Sequence, residues 1–436
     1  MRYKNRWMKN IKSLTEEISS ILKYRTKNTY FTRNRKMCFK DVVYYNLNKK
    51  GLSSKMEIVE FNEIVKKADI SSPAVLKQRK KLDARIYKDM NVKNLQDFYN
   101  DYKEDVKLFK GYILAATDGS DFEIPNTVAT RQNYNSTKNN TSVARAHISN
   151  TFDVLNHYVL STVIGSENAD EKEMDRKNLK EIKDMNLPYP IIRVKDRGYV
   201  SLKDIYYSNI ENDKFVVRLK KSDFKKQVQE MKSDDEIITI PYQYDRARYY
   251  KDKDEKFYNL LEETKMEIKV RCVKIKLKTS ETEIVITNLS KEEVTTEEMN
   301  ELYHLRWQIE INYHILKESL KIETITSSKD NLIKQDIYSQ MLAFNLLQAF
   351  INDAEENIEQ EKYKYKMKIN TNMAVGFFKK FFLYILIEKD KEKQEILFDK
   401  LSDSIESYIV PIREGRNYPR DKNKKNKYPI NKRKSF

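Results

Sequence analysis

The chain has 436 residues, 39% of them hydrophobic, with a formal charge of +17 and a pI near 9.3. That length allows about two to four domains with proper cores, and the positive excess favours polyanionic partners through counterion release. The two cysteines, Cys38 and Cys272, lie far apart, which excludes a thiolate zinc cluster and fits a reducing compartment, while the seven glycines form neither G-x-x-x-x-G-K nor G-x-G-x-x-G.

Residues 1–107 read as helical and basic. Phe61–Lys67, Ala68–Pro73 and Ala74–Leu82 give helix, turn, helix over about 61–82, with Ser72 as the cap and Pro73 in the first position of the second helix. That helix presents Lys77, Gln78, Lys80 and Lys81, side chains suited to phosphates and a groove. Gly111–Asp118 then reads as a short buried strand ending in an acid, followed by a turn at Gly119. Apolar runs at Ala146–Phe152 and Val154–Ile164 suggest two further strands, and a charged helix follows at about 170–186. Ile191–Asp196 with Arg197-Gly198 repeats the pattern of strand, acid and turn. Ligand sites gather at strand ends, so Asp118 and Asp196 are the acids of interest; Asp121 and Glu123, past the expected turn, are set aside.

Residues 210–290 alternate charged and β-branched side chains, which predicts an antiparallel sheet with one solvated face carrying Lys269, Arg271, Lys274 and Lys276. Residues 297–321 have the composition of one helix. Taking about 100° per residue from Tyr303, Arg306 falls at about 300°, Glu310 at about 340° and Lys317 at about 320°, with Trp307 bordering them at about 40°. Leu302, Leu305, Ile309, Leu316 and Leu320 share the adjacent stripe and predict the buried side. A second long helix follows. Residues 355–436 read as helical to about Ser407, then as a basic tail from Arg416. None of the four histidines has metal-binding spacing, and the longest apolar run, Phe381–Ile387, is far short of the ~20 residues of a membrane span.

The spacing Tyr303-x2-Arg306-x3-Glu310-x6-Lys317, within Glu301-Leu-Tyr-His-Leu-Arg-Trp-Gln-Ile-Glu310 and preceded by Ile286-Thr-Asn-Leu289, resembles the signature of bacterial insertion-sequence transposases of the DDE class, in the branch called insertion sequence family four. The Asp118-Gly and Asp196-Arg-Gly contexts are similar to the same family. The resemblance implies an α/β protein. It would have a ribonuclease H-like catalytic core at 108–354, a β-rich insertion at about 210–290, an α-helical DNA-binding domain at 1–107 and a helical C-terminal region at 355–436. It implies Asp118, Asp196 and Glu310 as catalytic acids holding two Mg²⁺ ions, with Mn²⁺ as a substitute. Tyr303, Arg306, Trp307 and Lys317 would grip DNA near the cut, and Lys77, Gln78, Lys80 and Lys81 would contact it from the N-terminal domain. The expected partners are double-stranded DNA, as terminal inverted repeats and target, and a second copy of the chain in a synaptic complex. The expected location is the bacterial cytoplasm, on the nucleoid when DNA is bound, with no membrane. The expected activity is cut-and-paste transposition. The alternatives are a metal-dependent nuclease without strand transfer and a catalytically silent DNA-binding protein derived from a transposase.

Overall fold

The apolar runs of the middle of the chain assemble into one sheet. In a computed structural model that describes residues 3–67, 70–134, 143–276 and 282–413, eight strands form it. They are β1 (Ile113–Ile124), β2 (Ala144–Asp153), β3 (Tyr158–Ser166), β4 (Ile191–Lys195), β5 (Lys214–Arg218), β6 (Asp235–Ile240), β7 (Ile268–Lys276) and β8 (Thr282–Thr287). Their spatial order is β3-β2-β1-β4-β5-β8-β7-β6. The β1–β4 and β4–β5 pairs are parallel and all the others antiparallel. The β-rich stretch after the second acid therefore extends the central sheet.

Seventeen helices flank this sheet among the described residues. The N-terminal region supplies α1 (Tyr3–Glu16), α2 (Ile18–Tyr24), α3 (Phe39–Leu47), α4 (Ser54–Val65), α5 (Ser72–Arg79) and α6 (Arg85–Asp101). Between strands run α7 (Val128–Asn133), α8 (Glu171–Asp184), α9 (Leu202–Glu211), α10 (Lys225–Gln229), α11 (Tyr244–Arg248) and α12 (Glu255–Thr264). The remainder are α13 (Thr296–Leu305), α14 (Gln308–His314), α15 (Asp330–Glu356), α16 (Thr371–Ile387) and α17 (Lys391–Glu406). Two short strands, β9 (Met367–Ile369) and β10 (Ile409–Pro411), pair antiparallel beside them. The basic tail expected from Arg416 lies outside the described residues, as do Ala68 and Asp69 of the expected turn.

The 27-residue α15 is buried on nearly every side, as a helix at the centre of a large core must be. Its polar side chains are paired. The Asn345 amide accepts from Val159 N at 2.8 Å and donates to Val159 O at 2.9 Å, so one side chain takes the place of a neighbouring strand along the edge of β3. Trp7 of α1 and Phe98 of α6 both pack on Tyr158 of β3, with ring centroids 5.1 Å apart in each case. Helices from both ends of the chain thus share one core with the sheet. Asp336 of α15 ties them further, pairing with Lys49 at 2.5 Å and with Arg79 of α5.

Two local expectations are corrected. Helix α5 starts at Ser72, with Ser71 at the cap position and no side-chain capping bond, so Ser72 is not the cap. The sheet beyond β5 has no single solvated face, because β7 is covered on both sides. Val270 and Cys272 enter one apolar cluster, and Val273 and Ile275 enter another. Strand alternation puts Lys269 and Arg271 on the face opposite Lys274 and Lys276. Arg271 is buried, clamping Asp235 from Nε and Nη2 at 2.9 and 2.7 Å and donating from Nη1 to Ser290 O at 2.8 Å. Arg271→Ala strands Asp235 in a nearly dry site. We expect it to cost about 3–5 kcal/mol in urea unfolding.

Candidate active site

The parallel register of β1 and β4 ends at the pair Thr117–Lys195, so Asp118 and Asp196 are the next residue on each of two neighbouring strands. Side chains alternate along a strand, which puts both acids on the same face, the one that carries Phe122. Helix α14 lies over that face: the Tyr313 ring meets Phe122 at 6.5 Å and Phe152 at 5.9 Å. The Tyr313 hydroxyl reaches the carbonyls of Asp118, at 2.8 Å, and Ile148, at 3.3 Å. Tyr313 follows Glu310 by three residues, about one helical turn, so this contact anchors that part of α14 to β1 beside Asp118.

β1 does not turn at Gly119. It runs on to Ile124, paired with β2 through Gly119–Ser149 and Asp121–His147. Gly119 is needed for another reason: a Cβ there would lie 2.5 Å from His147 Nε2. Gly119→Ala must displace the imidazole, and we expect a loss of about 1–3 kcal/mol by thermal unfolding. Asp121 and Glu123 lie on the same strand as Asp118. The Asp121 carboxylate holds His147 Nδ1 at 2.8 Å, and its carbonyl accepts from Lys317 Nζ at 2.7 Å.

The segment 296–319 is not one continuous helix. α13 starts at a capping box, Thr295 with Glu298, and ends at Leu305; α14 begins at Gln308, and a π turn spans Ile315–Ser319. Between the two helices Arg306 N bonds to Tyr303 O and Trp307 N to His304 O, tightened i→i−3 bonds that spoil a constant 100° count. Tyr303, Arg306 and Glu310 nonetheless stay together. The buried Arg306 guanidinium lies 5.7 Å from the Tyr303 ring centre, 5.6 Å from that of the half-exposed Trp307, and 3.7 Å from the Glu310 carboxylate. Lys317 is set apart against β1, 4.9 Å from the Phe122 ring centre. Leu302, Ile309, Leu316 and Leu320 are buried as their stripe predicts, with Leu305 only partly so.

The electrostatics single out Asp118. Burial pushes its carboxyl pKa up to about 6, against the Gly119 N–H bond at 2.9 Å and the Arg306 charge; Glu171 and Asp196 push it further up. Asp196 Oδ1 faces Arg218 Nη2 of β5 at 2.8 Å without hydrogen-bond geometry, and Arg218 also pairs with Glu283 of β8. The Tyr199 and Tyr303 hydroxyls are buried beside these charges with no hydrogen-bond partner among the described residues. Among those residues no three His, Cys, Asp or Glu side chains stand close enough to hold a metal ion.

Sequence reasoning missed four neighbours of the acids. Tyr313 had a visible signal, its one-turn spacing from Glu310. Arg218, Tyr199 and Glu171 had none, because strand order and the start of α8 bring them in. The N-terminal residues lie in a different cleft of about 760 Å³, lined by Lys77, Gln78 and Lys81 together with Arg33 and Arg35. Lys80, just past α5, is exposed and is not among that lining. Burial lowers the Lys81 pKa, and the charges of Arg35 and Lys77 lower it further, which marks a crowding of cations.

A mixed α/β sheet with two acids side by side where its parallel strands part, and a helix bearing a third acid laid over that face, is the arrangement the chain presents. The family described as "Transposase DDE domain" matches residues 110–346, more than half of the chain, so the chain belongs to the DDE-class insertion-sequence transposases. It is 28% identical over 113 residues to the transposase of an insertion sequence element from Bacillus thuringiensis subsp. israelensis, a match covering 26% of this chain and 23% of that relative. A cryo-EM structure of the piggyBac transposase synaptic complex with hairpin DNA is similar at a TM-score of 0.42 and 9% identity, over 96% of this chain and 88% of that one. That likeness is too slight to rest anything on.

Proposed function

We propose that the protein is a metal-dependent cut-and-paste DNA transposase of the Tyr-Arg-Glu-Lys branch, with Asp118, Asp196 and Glu310 as its catalytic acids. The observation that carries this reading is the β1–β4 register, which sets Asp118 and Asp196 side by side where the two strands part. The order β3-β2-β1-β4-β5, with its antiparallel and parallel pairs, supports a ribonuclease H-like core that β6–β8 extend as an insertion.

The donor types suit a hard cation, which would have to draw the acids together, since no three of them stand within reach of one ion among the described residues. Its ligands are all carboxylate oxygens, one of them desolvated and raised in pKa, with buried hydroxyls left over for metal-bound water or phosphate. Asp118, Asp196 and Glu310 would hold two Mg²⁺ ions, or Mn²⁺, and the bound cations supply activation of the attacking oxygen and stabilisation of the leaving one. Glu310 exchanges its contact with Arg306 for this role, and Arg306 turns its planar fork to a phosphate. The Tyr303 hydroxyl donates to the same backbone, and Lys317 adds a point charge beside β1. Trp307 offers a half-exposed face on which an unpaired base at the cut end can stack.

Lys77, Gln78, Lys80 and Lys81 of the 1–107 region, with Arg33 and Arg35, grip the terminal inverted repeat. Two copies of the chain, aided by 355–436, bring two ends and the target DNA together. No helix among the described residues is long and apolar enough to cross a membrane, and we place the protein in the bacterial cytoplasm. The test incubates the protein with Mg²⁺, a duplex carrying the element's end, and a supercoiled target. End–target joints with a short target duplication are expected. Nicked ends without joints would assign a nuclease, and binding without either product would assign a silent DNA-binding protein.

A further inference from the structure

Glu171 is the first residue of α8, a helix that arrives from the far side of the sheet. Its carboxylate reaches the gap where β1 and β4 part. Oε1 lies 3.3 Å from the position a Cβ would take on Gly119, and Oε2 lies 3.5 Å from the equivalent point on Gly198. One carboxylate therefore spans the residue after Asp118 and the residue two after Asp196. The side chain is 45% exposed, and its printed contact there is an ion-pair distance of 3.6 Å to His147 Nε2, beyond hydrogen-bond reach. It is not needed to cap α8, since Asp170 takes the N–H groups of Lys172 and Glu173.

Two buried polar groups lie beside the same acids. The Tyr199 side chain is 3% exposed, and its hydroxyl has no hydrogen-bond partner among the described residues; the charges that act on it most are Asp118 and Glu171. His147, 9% exposed, is fixed through Nδ1 by Asp121, which leaves Nε2 directed at Glu171 without a hydrogen bond. Carboxylates crowd together at a cost unless a cation joins them, and a partnerless phenol beside them suits a water on that cation. Mg²⁺ accepts one or two carboxylates and completes its shell with water, so two acids suffice.

We propose that Glu171 is a fourth carboxylate of the centre and shares a divalent cation with Asp118. This rests on the metal-dependent reading above and adds to it a ligand from outside the three expected acids. Asp118, Asp196 and Glu310 belong to the α14 side, and Glu171 comes from the α8 side to the gap where β1 and β4 part, near enough for its charge to act on Asp118 at least as strongly as that of Asp196. Glu171 therefore holds the cation before DNA arrives, when Glu310 is still engaged with Arg306.

The test is binding of free Mn²⁺ to the intact protein without DNA, read by loss of the aqueous Mn²⁺ electron paramagnetic resonance signal. Wild type should bind. Asp118→Asn and Glu171→Gln should each weaken binding by about 10–100-fold, the range for altered metal surroundings. Glu173→Gln, on the same helix and paired with Arg176, should leave it unchanged. Matching circular dichroism spectra will show that the variants are folded. If Glu171→Gln binds as wild type while Asp118→Asn does not, Glu171 is no ligand and the three-acid reading stands alone. If wild type binds no Mn²⁺ with or without duplex DNA, the metal reading itself is overturned, and this proposal with it.

Discussion

Asp118→Asn should lower DNA cleavage by about a thousandfold or more, the scale on which a group acting at the reaction centre is lost. DNA binding should persist, because the substitution leaves every cationic residue in place. The same variant should be at least as stable as wild type at pH 7–8. Burial has raised the folded-state pKa of Asp118 to about 6, above its ordinary value of 3.8, so at neutral pH the folded protein carries a desolvated charge that the unfolded chain hydrates freely. Such a group contributes stability that is full below about 4 and lost as pH rises through about 6. Asparagine keeps the shape and removes the charge. Wild type should therefore gain stability relative to the variant on going from pH 7 to pH 4, which urea titrations at the two pH values will show. A site that lowers stability until its ligand binds is the usual cost of function.

Asp336→Ala should do the opposite, destabilising the protein by about 3–5 kcal/mol without touching the acids. Asp336 is 1% exposed, and Lys49 and Arg79, themselves buried, converge on it with Thr326 N at 3.0 Å. Removing the carboxylate leaves two cations in a dry site. Lys49, already lowered to about 8 by burial, would lose its proton in response. Burial alone would raise the Asp336 pKa, but the charges of Arg79 and Lys49 bring it below the usual carboxylate range. Its contribution is therefore present above the unfolded value and lost as pH falls through the lower folded one. Acid unfolding should begin earlier in the variant than in wild type. Because Lys49 follows α3 and Arg79 belongs to α5, both should loosen from α15, which limited proteolysis can detect.

The strands that carry Asp118 and Asp196 were legible because a short apolar run ending in an acid is a local signal. What could not be read was anything set by pairing between distant segments. The end of the parallel register at Thr117–Lys195, not a turn at Gly119, is what exposes Asp118. Counting residues along β7 would have placed Arg271 opposite Lys274, but only the Asp235 clamp explains its burial. The break at Arg306 and Trp307, where i→i−3 bonds replace the helical ones, has no local signal in the sequence. Glu171 lay in a helix that read as merely charged, since nothing in its own neighbourhood shows that β1 and β4 open beside it.

The most direct measurement is cleavage of one end-bearing duplex by wild type, Asp118→Asn, Asp196→Asn and Glu310→Gln, with Mg²⁺ and with DNA binding measured on the same samples. The account predicts cutting by wild type alone and comparable binding by all four. Cutting by Glu310→Gln at the wild-type rate would remove that residue from the centre, and cutting by Asp118→Asn would contradict the strand-end site altogether.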